Sequence, residues 1–499
     1  MRMTDAQMYA RMLASDADFD GRFFTGVLTT GIYCLPSCRA RKPKPGNVRF
    51  FPTAEAARAH GLRPCRKCHP DDFARGADPV LESIETLVGE IRENPAAFAD
   101  ARAIVQRSGF GTTRCFELFR RHYHATPAEV LLRARIAAAR HALVASDTGV
   151  GEIGFAAGFE TLSAFHDNFR RLTGMTPAGY RTLREPSTTT FSLELPEDYA
   201  LAYLRHALAR DPEARDVHLE GDNACVATRL ALPSASSGLG AAPRHPDHDA
   251  ASPDGAVPVL LRLSLSPDAI TIACPAGTAL EAHRIAVGLA GLEQDAPGFA
   301  RLARKLGFGR LVAHAPGLRI SLTPSPFDGL LWAIIGQQIN FPFACRLKRR
   351  LLELCGTPLE DGMIAPPTAT DVARLEPKDL VALQFSKQKA DYLIGTARRI
   401  AGGELSLDSL RHASATRAER TLLAVRGLGP WSVNYLMMRA LGFADCVPLG
   451  DTGVTSGLLA LMCLDERPDS DATRRLMSVF SPYRSLATAH LWMLNRTVP

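Results

Sequence analysis

The stretch Leu422–Val454, LLAVRGLGPWSVNYLMMRALGFADCVPLGDTGV, decides the reading of the C-terminal part of this chain. Val425-Arg426-Gly427-Leu428-Gly429 reads as a hairpin between two helices. Gly427 and Gly429 let the backbone come close to a phosphate, and the helix that begins near Trp431 points its N-terminus at the same place. A glycine hairpin alone is a moderate signal. Followed by the Pro-x-x-Asp turn Pro448-Leu449-Gly450-Asp451, it becomes strong.

Outward from this stretch the chain falls into blocks. Its 499 residues predict three to four domains at roughly 150 residues each. Apolar residues make up 46% and charged residues 22%, the composition of a folded chain and not of a disordered one. Punctuation by Pro, Gly and Ser gives boundaries at 1–76, 80–184, 188–313 and 316–499. The second block is helical and ends at the polar linker EPSTTT. The third opens on the alternating run TTTFSLELP and later carries VLLRLSLSPDAITIACP, which reads as strands. Between them, residues 233–257 are dense in Ser, Gly, Pro and Ala and are expected to be a disordered loop. Its His245 and His248, with nearby His218, read as solvated histidines and not as a metal site. From Pro316 onward the pattern is helical. No apolar run is long enough to span a membrane, and MRMTDAQMYARMLASDADFDG has no apolar signal core. A cytoplasmic protein without membrane partners is expected.

The net charge of +6 is too mild to identify a partner. Its distribution says more: from Cys34 to His69 nine Lys or Arg face the single acid Glu55. The same segment holds Cys34-Leu-Pro-Ser-Cys38 and Cys65-Arg-Lys-Cys68. Two tight cysteine pairs in a reducing compartment suit one tetrahedral Zn²⁺ better than disulfides. Thr29–Phe51, TTGIYCLPSCRARKPKPGNVRFF, with Gly61–Asp72, GLRPCRKCHPDD, closely resembles the zinc-binding N-terminal domain of the Ada family. The resemblance implies that Cys34 is both a zinc ligand and the acceptor of a methyl group from a DNA methylphosphotriester. Four thiolates on Zn²⁺ carry −2 and repel the DNA backbone, whereas a methylated linkage is neutral. Losing one charge about 6 Å from a phosphate is worth about 3 kcal/mol before screening, so methylation would tighten DNA binding. Arg39, Arg41, Lys42, Lys44, Arg63, Arg66 and Lys67 are the expected phosphate contacts.

The second block repeats one pattern: a short helix, a glycine turn (SGFGT, AGFET), a helix ending Phe-Arg-Arg, then Thr126-Pro127 or Thr176-Pro177 as the next helix start. It resembles the AraC-type double helix-turn-helix, above all in Ile153–Arg181, IGFAAGFETLSAFHDNFRRLTGMTPAGYR. That resemblance implies recognition helices at about 112–122 and 161–171, with Arg114, Glu117, Arg121, Ser163, His166, Asp167 and Arg170 facing DNA. Phe116, Phe119, Phe165 and Phe169 are expected in the core.

The final block resembles the AlkA-type glycosylases of the helix-hairpin-helix superfamily. Ala333–Gly356 (AIIGQQINFPFACRLKRRLLELCG), the hairpin, the Asp turn and Ser485–Asn495 (SLATAHLWMLN) fall in family order. The resemblance implies a TBP-like α+β domain at 188–313 and an all-α glycosylase domain at 316–499. The fold class is therefore multidomain and mainly α, with two α+β parts. Asp451 takes the catalytic position, where a carboxylate stabilises an oxocarbenium-like sugar or orients water. Trp431, Trp492 and Tyr435 would wall the pocket for a flipped, cationic alkylpurine. Gln338 falls at the minor-groove wedge, and a monovalent cation at the hairpin is expected by analogy. Pro430-Trp431 stand where lyase-active relatives place a lysine, so no lyase activity is expected. The iron–sulfur cysteines of other relatives are missing after Cys463, so no iron–sulfur cluster is expected. The implied whole is an alkylation-response protein that excises 3-methyladenine-like bases, accepts a methyl group and regulates transcription with RNA polymerase as a partner. The alternative is a non-enzymatic methylation sensor whose C-terminal half only binds DNA.

Overall fold

The computed structural model describes residues 3–16, 19–38, 40–74, 78–231 and 256–497, and the chain divides into two compact units, Met1–Thr86 and Leu87–Pro499. Arg39 and residues 233–255 of the expected loop, with His245 and His248, lie outside the described residues. Residues 256 and 257, expected in that loop, instead begin a strand, because Ala256–Ser264 pair in register with Ala231–Asn223.

In the first unit, strands β1 (Phe24–Val27), β2 (Ile32–Cys34), β3 (Val48–Phe51) and β4 (Arg63–Pro64) form a sheet of order β3-β1-β2-β4. β1 is antiparallel to both β2 and β3, and β4 runs parallel to β2. Phe24, Tyr33, Leu35, Phe51, Ala54, Ala57 and Leu62 make a small core beneath it. The β2–β4 pairing matters for chemistry. Cys34 ends β2, and Cys65, just past β4, donates its N–H to Tyr33 O at 3.0 Å, so two cysteine pairs distant in sequence meet at one sheet end.

The second unit opens with the double helix-turn-helix. Its two candidate recognition helices are Thr112–Tyr123 and Leu162–Thr173, close to the expected spans, joined by the long helix Pro127–Ala145. Both Thr-Pro pairs start helices as expected. Thr126 forms a capping box with Glu129, and Thr176 Oγ1 accepts from Gly179 N–H. Phe119, Phe165 and Phe169 are fully buried, whereas Phe116 is only half-buried at the helix flank.

An antiparallel sheet of order β5-β9-β8-β7-β6 follows: β5 (Thr190–Glu194), β6 (Val217–Glu220), β7 (Asn223–Ala231), β8 (Ala256–Leu265) and β9 (Ala269–Ala273). The hairpin β6–β7 turns at Gly221-Asp222, a signal available in VHLEGDNACVATRLA that composition alone did not bring out. The remaining C-terminal part is helical apart from a two-residue ribbon, β10 (Thr357–Pro358) with β11 (Ile364–Ala365), where an all-α domain was expected. Asp361 and Gly362, both with positive φ, form the turn that lets the chain fold back there.

One apolar core runs from the second helix-turn-helix copy into the α+β sheet, joining Phe165, Phe169 and Tyr180 to Phe191, Ile272 and Ile285. The first copy packs on the C-terminal helices instead: His122 Nδ1 lies 2.8 Å from Thr416 Oγ1, and His124 Nδ1 accepts the Asp445 N–H at 3.1 Å. No helix among the described residues is long and apolar enough to cross a membrane.

Two deeply buried histidines, one beside Tyr180 and one beside Phe299, make the second unit acid-sensitive. His283 donates from Nε2 to Thr173 O, and His490 donates from Nδ1 to Leu311 O; in each ring the other nitrogen is buried with no partner. Burial holds them neutral, pulling His283 down to about 3 and His490 to about 4 from an ordinary 6.5. The unfolded chain takes up protons below pH 6.5 while the fold does not. Stability is therefore complete above that pH and is lost as pH falls, by about 2 kcal/mol per histidine at pH 5. Asp328, pushed up to about 6 by burial, works in the opposite direction over part of this range. Denaturant midpoints should fall from pH 7 to pH 5, and more shallowly in a His283→Gln/His490→Gln variant; equal slopes would contradict the assignment.

Candidate active site and metal centre

The hairpin forms as expected, closed by Leu428 N–H to Val425 O at 3.1 Å. Gly427 is obligatory twice over: its φ is +96°, and a Cβ there would lie 2.3 Å from Tyr392 Cγ. Gly429 caps the helix Pro430–Arg439, with Pro430 in its first turn. Gln337, unremarked in the sequence, ties the hairpin down: its Nε2 donates to Gly427 O and to Ser432 Oγ, both at 2.8 Å. The neighbouring Gln338, the wedge candidate, is exposed at the rim with φ +53°. The signal that separates them is this left-handed backbone, which turns consecutive side chains apart and is not readable from GQQ.

Asp451 follows Gly450 and caps the helix Thr452–Met462, its Oδ1 accepting Val454 N–H at 3.0 Å. Two indoles hold the same carboxylate: Trp431 Nε1 donates to Oδ2 at 3.1 Å and Trp492 Nε1 to Oδ1 at 2.9 Å. Three of its roughly four lone-pair positions are thus occupied, and Oδ2 retains capacity toward the cleft. Gly453 makes the clamp possible, because a Cβ there would meet Trp492 at 2.6 Å. Tyr435 is buried and stacks on Trp431, centroids 5.3 Å apart at 22°, with Trp492 tilted against it at 6.1 Å. Sequence reasoning made the two tryptophans pocket walls. They line the pocket and also orient the carboxylate.

These groups line a cleft of about 1420 Å³, together with the hairpin, Gln338 and Phe341. A carboxylate fixed by two N–H donors beside apolar ring faces can stabilise a developing cation or hold a water. Trp492→Phe keeps a ring against Tyr435 but removes one donor. Loss of one charge-assisted hydrogen bond should slow the chemical step about tenfold at saturating DNA; an unchanged single-turnover rate would make Trp492 a wall alone.

In the first unit, Cys34, Cys38, Cys65 and Cys68 place their sulfurs within 4.8 Å of one another. A tetrahedral Zn²⁺ with bonds of roughly 2.3 Å needs S···S edges of about 3.8 Å, so the donor set fits. Leu35 N–H and Lys67 N–H lie 3.4 Å from the Cys68 and Cys65 sulfurs. Four sulfurs this close cannot all carry negative charge unaided, because like charges repel and each raises its neighbours' proton affinity. All four ionise together only around a divalent cation. Of the expected phosphate contacts, Arg41, Lys44, Arg63, Arg66 and Lys67 are exposed. Lys42 is turned inward instead, its Nζ donating to Cys38 O at 2.7 Å.

On the recognition helices Arg114, Arg121, Ser163, Asp167 and Arg170 are exposed, while Glu117 and His166 are half-buried. Arg114 pairs with Glu117 at 3.5 Å and Arg170 with Glu194 at 3.4 Å. Ser163 Oγ donates to Asp167 Oδ2 at 3.3 Å.

Three families match in order: "Metal binding domain of Ada" over residues 7–71, "Helix-turn-helix domain" over 104–182, and "HhH-GPD superfamily base excision DNA repair protein" over 331–482. A Mycobacterium tuberculosis protein named "Probable bifunctional transcriptional activator/DNA repair enzyme AlkA" is 29% identical over 97% of this chain and 95% of its own. A Bacillus subtilis "DNA-3-methyladenine glycosylase" is 36% identical over 35% of this chain and 59% of its own length. The solved 3-methyladenine DNA-glycosylase of Archaeoglobus fulgidus shares the fold, with TM-score 0.50 and 20% identity over 62% of this chain and 99% of that one. The chain thus carries an Ada-type metal-binding domain, a helix-turn-helix domain and an HhH-GPD base-excision domain in succession, a fusion that resembles Ada joined to AlkA.

Proposed function

We propose that this protein answers DNA alkylation with three activities: excision of alkylated purines such as 3-methyladenine, uptake of a methyl group from DNA methylphosphotriesters on Cys34, and transcription regulation switched by that uptake. The observation that carries the reading is the Asp451 carboxylate, fixed by Trp431 and Trp492 beside the hairpin in the cleft. A flipped nucleotide would bring its C1′ to Oδ2, the base against the tryptophan rings and its phosphate to the hairpin. As the C1′–N bond breaks, the base leaves with the electron pair and the carboxylate stabilises the cationic sugar. Asp451 then takes the proton of the water that adds to C1′. Pro430 and Trp431 offer no amine to attack C1′, so excision ends without strand cleavage.

Cys34, Cys38, Cys65 and Cys68 would hold Zn²⁺, which supplies ionisation of the sulfurs. Cys34 Sγ takes the methyl carbon, its S–C bond forming as the C–O bond breaks, and the phosphodiester leaves as an anion. Arg41, Lys44, Arg63, Arg66 and Lys67 then face DNA with less negative charge behind them. Main-chain carbonyls of the hairpin would take a monovalent cation; Gly427 O already accepts from Gln337. RNA polymerase is the partner that transcription activation requires.

Incubation of the full chain with methylated duplex DNA, scored separately for free base and for protein-bound methyl, tests the reading. Both products are expected. Bound methyl without free base would favour the sensor whose C-terminal half only binds DNA.

A further inference from the structure

The helix Pro430–Arg439 sets Trp431, Tyr435 and Arg439 at four-residue spacing, hence on one face, and all three line the cleft. Arg439 is 9% exposed. Among the described residues its guanidinium has no hydrogen-bond or ion-pair partner, and its Nε is buried with nothing to bond. A guanidinium does not shed its proton, so one held this deep on the cleft lining without a protein partner is set to donate to an acceptor that enters the cleft. Asp451, held by Trp431, Trp492 and Val454, makes no ion pair with it.

The place of Arg439 says what that acceptor is. It lies two turns along the helix from Trp431, about 12 Å, and so away from the hairpin end where a phosphate would approach. Beyond an aromatic floor, the group that reaches it is the edge of a flipped base. Guanidinium donors match the O6 and N7 acceptors of a 6-oxopurine, whereas the 6-amino group of adenine sets donor against donor. We propose that Arg439 is a specificity-determining residue that donates to the C6 carbonyl of the flipped alkylpurine and favours 6-oxo over 6-amino bases. The inference rests on the base-excision reading of the cleft.

Two lesions of equal charge isolate the effect: 3-methylguanine and 3-methyladenine are both cationic in DNA, so repulsion by Arg439 cancels in their ratio. Full-length protein, Arg439→Met and Arg439→Lys are incubated in excess over dimethyl-sulfate-treated duplex DNA, and release of each base is timed by chromatography. The wild type should release both. Arg439→Met should lower 3-methylguanine relative to 3-methyladenine about tenfold, with Arg439→Lys between, and the Tm of Arg439→Met should stay close to that of the wild type, because no protein partner of the guanidinium is lost. A ratio unmoved in both variants, or both rates falling together with Tm, overturns the proposal. If Arg439→Met does not fold, the ratio in Arg439→Lys decides. Failure of the wild type to release either base refutes the base-excision reading itself, and the inference with it.

Discussion

Asp451→Asn is expected to lower base release on the order of a thousandfold while leaving DNA binding intact. The substitution is nearly isosteric, and with the amide oxygen at the Oδ1 position the helix cap at Val454 and the Trp492 contact are kept. Charge is what changes. The carboxylate accepts from both Trp431 and Trp492, and the amide nitrogen of asparagine would set a donor against one of those indoles. Neither amide atom can stabilise a cationic sugar or accept a proton from water. The loss should therefore sit in the chemical step and not in the affinity for methylated duplex, which single-turnover kinetics and a binding titration separate. Weakened binding with an unaltered rate would reassign Asp451 to structure.

Cys34→Ser is expected to abolish methyl uptake and leave base release untouched. A serine hydroxyl is a far weaker nucleophile and a poor zinc ligand. The variant should also loosen the first unit, whose core of Phe24, Tyr33, Leu35, Phe51, Ala54, Ala57 and Leu62 is small. Unfolding of that unit alone would also stop transfer, so Cys68→His, which keeps a zinc ligand and the Cys34 nucleophile, is the companion. Retained metal and retained uptake in that variant, against none in Cys34→Ser, assign the nucleophile to Cys34. Uptake at the wild-type rate in Cys34→Ser would contradict the assignment.

What could be read from the sequence was what is local in it. Cys34-x-x-x-Cys38 and Cys65-x-x-Cys68 announce a four-sulfur site through spacing alone, and the parallel pairing of β2 with β4 joins the two pairs. The Thr-Pro helix starts and the Gly427–Gly429 hairpin are likewise written in neighbouring residues. Contacts made across the chain were not legible. Trp492 and Asp451 come from different helices, and a tryptophan that packs a wall looks the same in sequence as one that holds a carboxylate. Gln337 and Gln338 are adjacent and chemically identical, and only the backbone conformation decides which secures the hairpin. Arg439 sits in an otherwise uncharged helix, but its lack of partners is a property of the packed cleft. His122 and His124 read as helix-end residues, yet they join the first helix-turn-helix copy to Thr416 and Asp445.

These joints bear on how the two DNA-binding parts of the second unit work. Both helix-turn-helix copies are packed into neighbouring cores, the second on the α+β sheet and the first on the C-terminal helices. The recognition helices are therefore held in place relative to the cleft by side-chain contacts and not only by the short segment between Glu185 and Thr190.

If one polypeptide carries two separable repair chemistries, a crossed measurement shows it. Wild type, Asp451→Asn and Cys34→Ser are each incubated with the same methylated duplex, and free 3-methyladenine and protein-bound methyl are counted in every reaction. Separability means that Asp451→Asn loses only the free base and Cys34→Ser only the bound methyl. Loss of both products in either folded variant, or of neither, would contradict it.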